Sequence, residues 1–256
     1  MVVPELIRPE HRIFWTARTG RKLPDGLGKL RQFFARYAKR CQRALPWRKP
    51  GIEPFELLVA ELLLVQTKAE DVANIWPILI ARYPSAERLA RAQIRSLTRL
   101  LQPLGLQNQR ARALKRVSRE IINVFDGALP RSIPELLSLP HVGLYVACAV
   151  ASFNYGQRVP IVDGNVLRVF GRFTGIEPGR ELRRSRKVWE MAWGLLPKKS
   201  FALHNYGLLD FAAQVCKARA PSCSSCPLKT TCAYGRTPKV GAANQPRDGV
   251  TLACSI

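Results

Sequence analysis

The stretch Leu139–Phe170, LPHVGLYVACAVASFNYGQRVPIVDGNVLRVF, most limits what this chain can fold into. Pro140-His141-Val142-Gly143 reads as a tight hairpin, because Pro and Gly punctuate it. Leu144–Phe153 is a run of small and apolar residues that suits a buried helix, and Gly156 ends it. Pro160-Ile161-Val162 leads to Asp163, after which Val166, Leu167, Val169, Phe170 and Phe173 recur at helical spacing. A hairpin that opens a helix points backbone N–H groups outward, which makes an anion site suited to a phosphate. A carboxylate at the mouth of the next helix sits beside partial positive charge, which favours its ionised form. Both features also have a plain structural use, since Asp is a preferred N-cap and Pro/Gly hairpins join helices of many kinds.

The rest of the chain is helical by the same criterion. Leu27–Ala44 is an amphipathic basic helix, and its charged face suits either water or DNA. Leu45-Pro46-Trp47-Arg48 is a loop. Pro54 then starts PFELLVAELLLVQTKAEDV, a helix apolar nearly all round and therefore buried. Glu61 lies in its middle, where a carboxylate is costly unless it has a partner or faces a polar pocket. Burial would raise its pKa toward the range of a general acid, whereas a narrow solvent stripe shared with Glu56 is the alternative. Ala69–Tyr83, Ala86–Leu101, Gln109–Phe125 and Ser132–Leu139 read as further helices, followed later by Val188–Leu196 and Phe201–Cys216. Gly105–Arg119 is a basic segment, with Arg110, Arg112, Lys115, Arg116 and Arg119. No alternating strand pattern recurs, so an all-α fold is expected.

Charge decides the partner. Lys and Arg total 41 against 18 Asp and Glu, a formal net charge of +23, which favours a polyanion and above all nucleic acid. No run reaches the roughly 18 apolar residues of a membrane span, and the N-terminus lacks a signal-peptide core. A cytoplasmic, nucleoid-associated monomer is expected. Seven cysteines, an odd number, argue against a disulfide framework in such a protein. Four are packed together as Cys216-x6-Cys223-x2-Cys226-x5-Cys232. Four thiolates so close read as a metal site, either tetrahedral zinc or an iron–sulfur cluster. The compact spacing is unlike the separated pairs of a zinc ribbon and favours the cluster.

The hairpin LPHVG, the aspartate of VDGNV about twenty residues later and the four-cysteine segment together resemble the helix–hairpin–helix DNA glycosylases. That family includes endonuclease III, MutY-type adenine glycosylases and archaeal-type thymine/uracil mismatch glycosylases. The resemblance covers roughly residues 45–234 and implies an endonuclease III-like fold. Residues 50–163 would form a six-helix barrel carrying the hairpin, and 26–49 with 164–235 a cluster domain, with double-stranded DNA in the cleft between. Residues 1–25 would be an arm and 236–256 a flexible tail.

By the same resemblance, Cys216, Cys223, Cys226 and Cys232 hold a [4Fe-4S] cluster, and His141, Val142, Gly143 and Tyr145 form the phosphate-binding hairpin. Asp163 would stabilise the sugar cation or steer water, and Glu61 would meet the departing base. Gln66, Asn108 and Asn165 fall at base-pocket or DNA-inserting positions, with Gln66 filling the gap left by the flipped base. Endonuclease III carries a Schiff-base lysine two residues after the hairpin glycine. This chain has Tyr145 there, so a monofunctional glycosylase without efficient lyase activity is expected. GLQNQRA and NYGLLDFAAQVC look closer to the thymine enzymes, with a MutY-type adenine glycosylase as the alternative. A non-catalytic mismatch-binding or redox-sensing iron–sulfur protein is the second alternative. The family hairpin usually has glycine where this chain has His141, a residue that tolerates positive φ better than most.

Overall fold

The computed structural model describes residues 28–175 and 186–237. The expected N-terminal arm, residues 176–185 and the tail beyond Thr237 lie outside these residues. Eleven α-helices follow in order among the described residues. They are α1 (Gly28–Cys41), α2 (Pro54–Leu64), α3 (Ala69–Arg82), α4 (Ala86–Ala90), α5 (Ile94–Leu101) and α6 (Gln107–Phe125). After these come α7 (Ile133–Ser138), α8 (Leu144–Phe153), α9 (Gly164–Thr174), α10 (Arg186–Leu195) and α11 (Phe201–Gln214). No strand occurs among the described residues. None of their helices is long and apolar enough to cross a membrane.

The chain divides into two compact units. Residues 44–157, with α2–α8, belong to the first; residues 28–43 and 158–237, with α1 and α9–α11, belong to the second. Asp163 therefore belongs to the second unit.

In the first unit α2 starts on Pro54, and Glu53 N–H donates to Glu56 Oε2 at 3.1 Å, which ties down an otherwise unpaired donor at the helix start. Its Leu57, Leu58 and Leu63 are fully buried, among a core that includes Trp47, Trp76, Leu97 and Leu101. Trp76 Nε1 donates to the Glu56 carbonyl at 2.9 Å, so the indole satisfies its polar atom while filling the core. A capping box of Ser132 and Glu135 starts α7, directly before the hairpin. One expectation fails here: Ala86–Leu101 is two helices, broken at 91–93. Lys115 of α6 explains the break, because its ammonium donates to the carbonyls of Ala90 (2.8 Å) and Ala92. Those carbonyls need no further helical turn.

In the second unit α1 packs on α11 through Phe33, Phe34, Tyr37 and Phe211 in edge-on contacts. The helices touch at Gly207, where a Cβ would lie 1.9 Å from the Phe34 carbonyl oxygen, so only glycine permits this approach. Asp210, 0 % exposed, accepts from Arg43 Nε at 2.8 Å and from the Arg43 N–H at 3.1 Å. Removing one member of such a buried pair typically costs about 3–5 kcal/mol.

His204 of α11 is buried, and its Nδ1 donates to the Arg31 carbonyl at 3.0 Å. Burial pushes its pKa down to about 4. The unfolded chain takes up this proton near pH 6.5 and the folded chain only near pH 4, so folding is progressively penalised as pH falls through that window. The full loss is on the order of 3 kcal/mol. Thermal melts of His204→Gln are expected to show a flatter pH dependence between 6.5 and 4 than those of the native chain.

Candidate active site and cysteine loop

Asp163 caps α9, and its geometry is set by three donors. Oδ1 accepts from the N–H groups of Asn165 (2.9 Å) and Val166 (2.8 Å), and Oδ2 accepts from Asn165 Nδ2 at 2.6 Å. The side chain is half-buried. Gly175 closes the helix with φ +78, a left-handed C-terminal stop. The Asn165 amide holds Asp163 on one side and accepts from Arg168 Nη1 at 3.0 Å on the other.

Arg168 continues the chain of contacts. Its Nε donates to the Cys216 carbonyl at 2.9 Å and Nη2 to the Ala212 carbonyl at 2.9 Å. Burial lowers its pKa, while the nearby Cys216 and Asp163 pull the other way. A hydrogen-bonded path thus joins the Asp163 carboxylate to the first cysteine of the loop. Arg172, one turn on, donates to the carbonyls of Lys217 (2.6 Å) and Ala218 (3.0 Å), lies 3.6 Å from Cys216 Sγ and covers the Tyr234 ring at 4.9 Å.

Cys216, Cys223, Cys226 and Cys232 line one pocket with Val169, Phe211 and Leu228 among its walls. All four are free thiols, as is Cys148. Burial pushes the Cys226 thiol up to about 12, and the other three sulfurs push it the same way. Burial likewise raises Cys223 and Cys232. Four thiolates here would repel one another in an apolar setting, so the pocket suits an occupant carrying positive charge. Among the described residues no three His, Cys, Asp or Glu side chains converge to hold a metal ion.

The first unit carries the other expected residues. Glu61 is 2 % exposed on α2, so the solvent-stripe alternative does not hold. Gln66, exposed between α2 and α3, has φ +60. Asn108 is exposed in the first turn of α6. His141 is exposed at the hairpin apex with φ +64, a left-handed conformation that glycine would take with less strain. The Val142 N–H donates to the Leu139 carbonyl at 3.3 Å. Gly143 is the N-cap of α8, and Tyr145 is half-buried in that helix's first turn, where backbone N–H groups have no intrahelical acceptor.

Sequence reasoning missed Arg110, Arg168 and Arg172. Arg168 and Arg172 do sit one turn apart on the helix that Asp163 caps, and that spacing was the available signal. Arg110 was pooled with its basic neighbours. The structure separates them: Arg110 is buried and Lys115 is bound at the end of α4, while Arg112, Arg116 and Arg119 are exposed.

Residues 59–192 match the profile of the HhH-GPD superfamily of base excision DNA repair proteins, just over half of the chain. This chain belongs to that superfamily. A thymine/uracil-DNA glycosylase of Pyrobaculum aerophilum is 40 % identical over 198 residues, covering 75 % of this chain and 84 % of its own length. An adenine DNA glycosylase of Mycolicibacterium smegmatis is 37 % identical over 189 residues, covering 73 % of this chain but 64 % of its own. The structure of a thermostable thymine-DNA glycosylase superposes with a TM-score of 0.74 at 31 % identity, over 82 % of this chain and 99 % of that one. A non-covalent endonuclease III–DNA complex gives 0.71 at 27 % identity, over 84 % and 97 %. The endonuclease III-like all-α fold expected from the hairpin and cysteine motifs is thus the one observed.

Proposed function

We propose that this base excision DNA glycosylase hydrolyses the N-glycosidic bond of thymine or uracil mispaired with guanine, without a lyase step. The observation that carries the reading is Asp163: a carboxylate fixed by three hydrogen bonds at a helix mouth. Cleaving a glycosidic bond builds positive charge on the sugar, as in glycoside hydrolysis. A pre-aimed anion stabilises that charge with no reorganisation at the moment of reaction. The same carboxylate can orient the attacking water.

A base inside a duplex is out of reach and must be extruded, at a cost of a few kcal/mol. Gln66 occupies the space the base leaves. Glu61 hydrogen-bonds or protonates the departing base, a role that its burial favours. The first turn of α8, entered through His141 and Gly143, takes a DNA phosphate on its backbone N–H groups. The net charge of +23 draws the duplex in.

The choice of base rests on several features together. The GLQNQRA and NYGLLDFAAQVC segments resemble the thymine enzymes, and the relatives named thymine/uracil-DNA or thymine-DNA glycosylase align over 84–87 % of their own lengths. An adenine glycosylase of the MutY type is the second reading, favoured by relatives of that name.

Cys216, Cys223, Cys226 and Cys232 fit a [4Fe-4S] cluster. The donor set is all sulfur, and the four thiols line one pocket. Bound there, the cluster would crosslink the loop and neutralise its thiolates. Iron and acid-labile sulfide are expected in equal amounts in anaerobically purified protein, and Cys226→Ser is expected to lower both.

Single-turnover base release from T·G, U·G, A·G and A·8-oxoguanine duplexes tests the substrate. T or U is expected to leave, with strands cut only after alkali; release of A would transfer the chain to the adenine enzymes. Asp163→Asn keeps a good N-cap and loses the charge, so it should bind the mismatch and excise at least 100-fold more slowly. Excision at the native rate would remove Asp163 from the mechanism. Tyr145→Lys is expected to give a borohydride-trapped adduct with DNA, and no adduct would break the equivalence of that position with the lyase lysine.

A further inference from the structure

Two exposed turns of the first unit are held in a conformation that their residues do not favour, and one buried side chain grips both. Between α2 and α3 the chain passes through Val65-Gln66-Thr67, with Gln66 at φ +60 and Val65 47 % exposed. Before α6 it passes through Gly105-Leu106, with Leu106 at φ +50 and 56 % exposed. Gln66 and Leu106 have Cβ atoms, so left-handed backbone strains both. Exposed Val65 and Leu106 bury little apolar surface in return. Something else must hold these turns.

Arg110 does so. It is 9 % exposed, and four of its contacts fan out from one planar fork. Nη1 donates to the Leu63 carbonyl at 3.0 Å, and Nη2 to the Val65 carbonyl at 3.1 Å and to Thr67 Oγ1 at 2.5 Å. Nε donates to the Gly105 carbonyl at 3.0 Å. Gln66 is thus bracketed by two gripped residues, and Gly105 directly precedes Leu106. The acceptors are neutral oxygens, two of them at the C-terminal end of α2, where the helix dipole favours a cation. Burial alone lowers the arginine's pKa, yet guanidinium stays charged.

A buried cation is a large commitment merely to end a helix, because taking the charge out of water is costly. The commitment fits a requirement of base extrusion. The side chain that replaces a flipped base must be presented before the duplex opens. Otherwise the ordering entropy of its turn adds to the cost of unstacking.

We infer that Arg110 is a positioning residue for base extrusion: through its hydrogen bonds to Leu63, Val65, Thr67 and Gly105 it holds Gln66 in the turn from which that side chain enters the duplex. The inference rests on the reading of Gln66 as the gap-filling residue. Lysine cannot replace this arginine, since an ammonium group has no planar fork to reach all four acceptors.

The test uses full-length protein in the Asp163→Asn background, so that base release is slow against flipping, with 2-aminopurine beside the T of a T·G duplex to report flipping. Arg110→Lys is expected to lower the flipping rate about tenfold, and Thr67→Val, which deletes one acceptor, about threefold. Affinity for a fully paired duplex should stay within twofold, which a general loss of structure would not allow. In a Gln66→Ala background neither change should slow flipping further, because Arg110 acts through Gln66. Normal flipping by Arg110→Lys, or losses that multiply with Gln66→Ala, would overturn the inference and leave the gap-filling reading intact. If Gln66→Ala alone flips normally, the gap-filling reading fails and takes the inference with it. Should Arg110→Lys not fold, Thr67→Val alone and combined with Gln66→Ala decides by the same criteria.

Discussion

A helix ends with carbonyls that have no partner in the helix, and in this protein basic side chains from elsewhere in the same unit reach across to satisfy them. Arg110 does this at the end of α2, Lys115 at the end of α4, Arg31 and Arg158 around the end of α10, and Arg168 at the end of α11. Each contact places a positive charge near the negative end of a helix dipole. The turn that carries Gln66 follows α2, and the cysteine loop follows α11.

This changes what the net charge means. A balance of +23 points to a polyanion. Yet Arg110, Arg168 and Arg172 spend their donors on carbonyls and sulfur inside the fold. Counting charge in a sequence cannot divide it between these two uses. The division matters chemically: an exposed arginine attracts polyanions from a distance, whereas a buried one sets the shape of a turn.

The Asp163 path shows the same economy. One short helix start supplies a carboxylate, two backbone donors and an amide. That amide passes the contact on to Arg168 and hence to the Cys216 carbonyl. The cysteine loop is therefore no remote appendix to the carboxylate. Arg172 then bonds the carbonyls of Lys217 and Ala218, and the Ala233 N–H returns to the Phe173 carbonyl at 3.0 Å. The loop is thus held to α9 at both of its ends.

Local physics made much of this protein legible in its sequence. Helical spacing, a hairpin punctuated by Pro and Gly, an aspartate at a helix mouth and four cysteines in one segment depend on neighbours along the chain. They yielded the all-α class, the family and the positions of Asp163, Glu61 and the thiols. The break between α4 and α5 did not show, because its cause is Lys115, more than twenty residues away. Nor did the engagement of Asn165 with Asp163 and Arg168, or the use of the Val142 N–H inside the hairpin. The burial of Arg110 was hidden for the same reason: its acceptors at Leu63, Val65 and Thr67 lie more than forty residues from it. Sequence by itself determined which residues are chemically able to act. Only the tertiary structure decided which of the many arginines hold turns and which stay exposed, because a carbonyl at a helix end attracts whichever cation the fold brings to it.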